Sequence, residues 1–272
     1  MSFLSFLIHK IRRKLDKHAG KRQSKAEIEA FKRMRRRVLH EAVYVISPKL
    51  VVKNGPFEGM KYPSAKASGS ALVPKLLGSY ERELHPTINY ILKQDYTDIV
   101  DIGCAEGYYA IGLARHFPKA RIYVFDTNQE ALDLCRQMAE INSVLDRVIF
   151  GSLCTPDQLE KLPLRGRSLI ISDCEGYEKE LFNEQTLPKL AHHDLLIEIH
   201  DMIDINISTE IRQRFSSTHH LEIIESVDDI KKAKSYEYRE LDGYDLSTRR
   251  LLLAEGRVNI MEWFFLEPRR HA

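Results

Sequence analysis

Thr97-Asp-Ile-Val-Asp-Ile-Gly-Cys-Ala-Glu-Gly-Tyr-Tyr109 is the stretch on which the reading of this chain turns. Its first half predicts a short buried strand, Gly103 and Gly107 punctuate a turn, and an apolar helix follows at once. Glycines at those positions let the backbone take angles that a side chain forbids and approach a ligand closely. A dinucleotide-binding turn uses G-x-G-x-x-G, whose bare amides meet a pyrophosphate at a helix N-terminus. Here the spacing is G-x-x-x-G, and the carboxylates of Asp101 and Glu106 beside it repel phosphate. A nucleoside carrying an ammonium and a sulfonium suits the turn better, which points to S-adenosylmethionine.

The unit continues into Ala120-Arg-Ile-Tyr-Val-Phe-Asp126, a second apolar strand ending in an acid 19 residues after Gly107. That spacing is close to the one at which such folds grip ribose hydroxyls, since a carboxylate accepts two hydrogen bonds. Strand, turn, helix, strand and terminal acid in this order resemble class I S-adenosylmethionine-dependent methyltransferases. The resemblance implies that Asp101, Gly103, Cys104, Glu106, Gly107 and Tyr108 surround the methionine part, and that Asp126 and Thr127 hold the ribose. Ser152 and Leu153, at the end of a third strand over residues 147–152, then supply a polar contact and an apolar wall for the adenine.

A fourth strand, Ser168–Ser172, delivers Asp173-Cys-Glu-Gly-Tyr-Glu178 to the same rim, and a fifth runs through Asp194-Leu-Leu-Ile-Glu-Ile-His-Asp201. These two segments resemble the FkbM-like methyltransferases over roughly residues 78–201. That likeness implies O-methylation of a hydroxylated small molecule, sugar or glycan. Methyl transfer is a displacement at an already activated sulfonium, so alignment supplies most of the catalysis. A positioned base adds on the order of a hundredfold by taking the acceptor's proton. Asp173, Glu175 and His200 are the catalytic candidates, with His200 oriented by Glu198 or Asp201. Asp173 also counts among the donor-binding residues. Asp173, Glu198, His200 and Asp201 offer the oxygen and nitrogen donors that Mg or Mn accepts, the alternative being that they bond one another and the substrate. His192 and His193 precede the fifth strand, on the opposite rim, and read as surface histidines.

The last third supplies a helix over 208–215, a strand over 221–225 and a final strand over 258–266 that inserts antiparallel. Together these elements make an α/β fold: a Rossmann-like doubly wound sheet of seven strands, the last antiparallel, with helices on both faces and an N-terminal helical extension. The chain divides into a basic extension (1–46), a hairpin or lid connector around Asn54-Gly55 (47–80) and the Rossmann-like domain (81–272). Tyr80 and Glu81 close the connector and are read as facing the pocket. Tyr236 and Arg239, in an insertion rich in tyrosine and arginine, are read as selecting the substrate.

Composition narrows the setting. With 272 residues and 43% hydrophobic residues, the chain can bury a substantial core around one sheet. Its four cysteines show neither a Cys-x-x-Cys pair nor zinc spacing, so they read as reduced thiols of a cytoplasmic protein. No apolar run reaches the roughly 20 residues of a membrane span, and no signal peptide is legible. Residues 1–40 carry 13 Lys or Arg against three acids, a local charge of +10 in a chain of net +2, so the remainder is −8. Leu4, Leu7, Ile8, Ile11 and Leu15 share one helical face with Lys and Arg around the rest, and Ser24 caps a second basic helix. That arm fits packing on its own domain, an anionic inner membrane surface, or nucleic acid. The acidic body and the lack of an Asn-Pro-Pro-Tyr type of motif after the fourth strand speak against a nucleic-acid methyltransferase. The intact Gly103, Gly107, Asp126 and Asp173 speak against a non-catalytic scaffold.

Overall fold

The computed structural model describes residues 25–257 and 259–269. The expected helix of residues 3–17, the cap at Ser24 and the start of the expected last strand at Val258 lie outside the described residues. Seven strands form one sheet: β1 (Asp98–Ile102), β2 (Arg121–Phe125), β3 (Val148–Gly151), β4 (Ser168–Ser172), β5 (Asp194–Ile199), β6 (His219–Glu225) and β7 (Glu262–Pro268). Their order is β3-β2-β1-β4-β5-β7-β6. β7 pairs antiparallel with both β5 and β6, and the other pairings are parallel. This is a doubly wound, Rossmann-like sheet with the last strand reversed.

Every residue of β1, β4 and β5 is buried, because helices cover both faces and a parallel strand in that position has no solvent side. β1 is flanked by β2 on one side and β4 on the other, so the chain reverses its winding there. The crevice beyond the carboxyl ends of β1 and β4 is where such sheets bind ligands. The expected final strand over 258–266 is displaced to Glu262–Pro268. Met261 exchanges bonds with Ser226 just ahead of it, and residues 255–257 instead run along the wall of the crevice.

Helix α1 (Lys25–Ile46) buries Val38, Ala42, Val43 and Ile46 in the core, while Arg33, Arg35, Arg36 and Arg37 stay exposed. The connector forms one antiparallel bridge, Val51 with Lys61, and buries Val52, Phe57, Met60 and Tyr62 in the same core. It then enters α2 (Leu72–Leu77) and α3 (His85–Ile91), and α4 (Tyr108–His116) follows β1. Helix α5 (Gln129–Ile141) follows β2, and α6 (Pro156–Lys161) follows β3. The short helices α7 (Glu178–Leu181) and α8 (Leu187–Leu190) connect β4 to β5, and α9 (Ile207–Phe215) connects β5 to β6. The insertion between β6 and β7 contains α10 (Asp229–Ser235) and α11 (Leu246–Leu253).

Candidate active site

The glycine turn is built around two close approaches. Gly103 has φ +80°, and a Cβ there would stand 1.8 Å from the carbonyl oxygen of Asp173, so β1 and β4 can end side by side only with glycine at this position. Gly107 has φ +88° and faces away from the crevice, where a Cβ would meet Cys135 Sγ of α5 at 2.6 Å. Asp126, just past β2, ties the turn down: Oδ2 accepts from the amide of Ala105 at 2.8 Å and Oδ1 from that of Asn128 at 2.8 Å. Asp101 accepts from the amide of Ala110 at 3.0 Å, and burial pushes its carboxyl up to about 7, with Asp126 adding to the rise.

A cavity of about 530 Å³ opens from this turn, within the range of roughly 300–1,000 Å³ typical of small-molecule sites. One end is bounded by Asp126, Thr127, Ser152, Leu153 and Cys154, the middle by Asp101, Gly103, Cys104 and Tyr108. The other end holds Asp173, Glu175, Glu198 and His200, delivered by β4 and β5. His200 is 3% exposed, and its Nδ1 lies 2.5 Å from Glu178 Oε1. Its Nε2 stands 3.5 Å from both Asp173 Oδ1 and Glu175 Oε2. Burial pulls the imidazole pKa down, but the bond to Glu178 and the charges of Glu178, Glu198 and Glu175 outweigh it and raise the value above the ordinary one. Asp173 is held well above the usual carboxylate range by burial and by the neighbouring Glu198. Its Oδ1 is buried with no hydrogen-bond partner among the described residues.

Several expected roles are corrected by this geometry. Glu106 is fully buried and faces the connector rather than the crevice: Oε1 takes Lys75 Nζ at 2.5 Å and the Tyr62 hydroxyl at 3.2 Å, while Oε2 takes the amide of Ser68 at 3.0 Å. Glu81 is also buried and lies behind the wall, bonded to Arg257 and Tyr109, whereas Tyr80 lines the cavity. Tyr236 and Arg239 are not at the cavity. The Arg82 guanidinium sits 4.7 Å from the Tyr236 ring centroid, the Tyr236 hydroxyl donates to Glu83, and Arg239 is exposed at the start of a short 3-10 turn. Asp201 turns away to accept from the amide of Ser208 at 2.8 Å, so it does not join the metal set. Glu178, not Glu198 or Asp201, orients His200. Asp173, Glu175 and His200 are the residues whose ligand atoms approach within 4.8 Å of one another. His193 is 8% exposed rather than superficial, accepting from the amide of Ser168.

Residues that the sequence reading missed complete the wall: Ser68, Gly69, Ser70 and Lys75 from the connector, Tyr109 from α4, and Glu255, Gly256, Arg257 and Met261 ahead of β7. Arg257 bonds Glu198 and Glu81, and its Nε lies 3.3 Å from Glu255. No local pattern marks it, because its three partners are Glu81 just after the connector, Glu198 in β5 and Glu255 two residues upstream.

Residues 87–172 match the family model of the methyltransferase small domain. The matched span runs from α3 to the end of β4 and so contains the glycine turn and Asp126. A release factor glutamine methyltransferase of Synechocystis sp. is 29% identical over 100 residues, 37% of this chain and 33% of that relative. One of Dictyoglomus turgidum is 38% identical over 68 residues, 24% of each chain. The chain thus spans a third or less of the length of the curated relatives it matches. Among solved structures, precorrin-6y C5,15-methyltransferase of Geobacter metallireducens superposes with a TM-score of 0.45 at 16% identity, covering 67% of this chain and 87% of that one.

The expected acceptor, a hydroxylated small molecule or glycan, is overturned: the curated relatives are named for a glutamine of a release factor, which is a protein. Of the two residues read as selecting the substrate, Tyr236 is occupied by Arg82 and Glu83, and Arg239 is exposed away from the cavity. Among the described residues, no helix is long and apolar enough to cross a membrane.

Proposed function

We propose that this chain transfers a methyl group from S-adenosylmethionine to a side-chain nitrogen of a polypeptide, of the carboxamide type for which the relatives are named. The observation that carries the proposal is one continuous cavity with the Asp101 and Asp126 carboxylates at its glycine turn and proton-accepting groups at its far end. Asp126 has lone pairs left for ribose hydroxyls, Asp101 answers an ammonium, and Thr127, Ser152, Leu153 and Cys154 bound the space for the base. Gly103 keeps the floor free of a side chain. When bound, the donor supplies an activated methyl group.

The far wall offers acceptors to whatever enters. The carboxyls of Asp173 and Glu198, which line that wall, can take the N–H groups of a carboxamide and aim its nitrogen along the cavity. His200, with Nδ1 facing Glu178, presents Nε2 to receive the proton the acceptor loses. The FkbM-like reading is supported by the same wall, since Asp173, Glu175, Glu178, Glu198 and His200 converge there. Transfer to a polypeptide hydroxyl is the second reading, favoured by the His200–Glu178 pair as a base. The oxygen and nitrogen donors of Asp173, Glu175 and His200 also suit a Mg or Mn ion. The connector, residues 47–80, acts as the lid in this reading.

Purified protein incubated with labelled S-adenosylmethionine and cell extract, with and without a chelator, tests the proposal. Label is expected in the protein fraction, and nuclease treatment should leave it there. Label confined to small molecules, or calorimetry showing no uptake of S-adenosylhomocysteine, would overturn it.

A further inference from the structure

We propose that Lys75 holds the α-carboxylate of the donor's amino-acid end, so that the connector and not the sheet alone reads the methionine. The inference rests on the donor reading above. An amino-acid end is a zwitterion, and Asp101 answers only its ammonium; the carboxylate needs a cation a few ångströms away.

Three cationic side chains line the cavity among the described residues: Lys75, His200 and Arg257. Arg257 is taken up by Glu81, Glu198 and Glu255, and His200 stands among Glu178, Asp173 and Glu175, both at the acceptor end. Lys75 belongs to the other end. Its ion-pair partner Glu106 is a residue of the glycine turn, and its charge is near enough to Asp101 to oppose the rise in that carboxyl's pKa.

An ammonium has three N–H groups. Glu106 Oε1 takes one of them at 2.5 Å, and the rings of Tyr80 and Tyr108 lie with centroids 4.8 Å and 5.4 Å from Nζ. Those rings stabilise the charge through their faces without using up a hydrogen-bond acceptor. The side chain is 3% exposed, so an anion that reaches it meets little competing water. Glu106 makes the arrangement stable before any ligand arrives, since a buried ammonium without a counter-charge is strongly unfavourable. Through its other oxygen Glu106 holds the amide of Ser68, which sets residues 68–70 beside Lys75 on the cavity wall.

The test compares S-adenosylmethionine with its decarboxylated form, which keeps the adenosine, the sulfonium and the ammonium and lacks only the carboxylate. By calorimetry the unaltered protein should bind the first about 10- to 100-fold more tightly, as expected for a charge-assisted contact. The double variant Lys75→Met/Glu106→Gln, which removes both charges together, should bind the two alike. Equal affinities in the unaltered protein, or a gap that survives in the double variant, would overturn the assignment; should the double variant fail to fold, the comparison on the unaltered protein decides. Binding of neither compound by the unaltered protein would instead sink the donor reading itself.

Discussion

Glu178 Oε1 stands 2.5 Å from Nδ1 of His200, with Glu178 fully buried and His200 nearly so. The carboxylate fixes the ring with Nε2 toward Asp173 and Glu175 and favours the charged imidazolium. His200 should therefore titrate above the ordinary imidazole value of about 6.5. Because Nε2 must be neutral to take a proton, transfer should rise with pH as the solution passes through that raised pKa. Glu178→Gln removes the charge, lowers the pKa and moves the rise to lower pH. Following the His200 ring resonance through a pH titration checks this without knowledge of the acceptor, and a midpoint unmoved by the substitution would deny Glu178 its role.

Binding and chemistry should separate at Asp126 and His200. Asp126→Ala loses the ribose acceptor and the bond to the Ala105 amide, so donor affinity should fall about 10- to 100-fold. His200→Ala should leave S-adenosylhomocysteine binding within about twofold and slow transfer on the order of a hundredfold or more. Calorimetry and a single-turnover assay distinguish the two, and an unchanged affinity in the Asp126 variant would contradict the placement of the ribose.

Asp101 makes donor binding sensitive to pH. Its carboxyl is raised to about 7 by burial, so below that value it is protonated and offers an ammonium no counter-charge. Affinity for S-adenosylhomocysteine should strengthen as pH rises through about 7, with proton release on binding. In Asp101→Asn the dependence should flatten. A profile as steep in the variant as in the parent would assign the effect to another group.

Gly103→Ala should be among the most damaging single-methyl changes in the chain. The new Cβ would meet the Asp173 carbonyl oxygen at 1.8 Å at a backbone angle of φ +80°. Both β1 and β4 would have to shift, at a cost of about 2–4 kcal/mol or more. Thermal unfolding should show a fall in Tm together with loss of donor binding, and near-parental values for both would mean that the turn is looser than this geometry.

Arg257→Met leaves Glu81 and Glu198 facing one another without their shared cation, while Glu255 keeps its ion pair with Lys232. Removing one partner from a buried ionic cluster typically destabilises by about 3–5 kcal/mol. Burial already raises the Glu81 carboxyl to about 8. Since the uncompensated carboxylates repel only when ionised, the variant's deficit in Tm should be larger at alkaline than at acidic pH. A deficit independent of pH would point to lost packing instead.

What the chain discloses locally, it discloses well. β1, the glycine turn, α4, β2 and Asp126 lie within a single run of sequence, so hydrophobic period, glycine spacing and terminal acid report on one another, and a doubly wound sheet of seven strands with the last antiparallel is legible. Direction of side chains across the fold is another matter. Glu106 sits between the two key glycines, yet its carboxylate is claimed by Lys75, 31 residues upstream. The first turn of α7 folds Glu178 back under His200, 22 residues away, where the fifth-strand segment alone offers Glu198 or Asp201. Tyr236 and Arg239 have the composition of a recognition surface, but Arg82 and Glu83 occupy the tyrosine, a pairing of residues more than 150 positions apart. Each such error is a choice among long-range partners that periodicity does not encode.

β7 lies between β5 and β6, although it is made after both. On the ribosome, then, β6 emerges with no neighbour to pair with, and one edge of β5 stays open until Glu262–Pro268 arrive. The five parallel strands hold the glycine turn and can assemble early, whereas Glu255, Gly256 and Arg257 reach the rim only with that late insertion. Maturation should accordingly be vectorial, a nascent chain competent to grip its nucleoside before it possesses a complete chamber for the second reactant, and an open β5 edge is the point at which a holding chaperone would be needed.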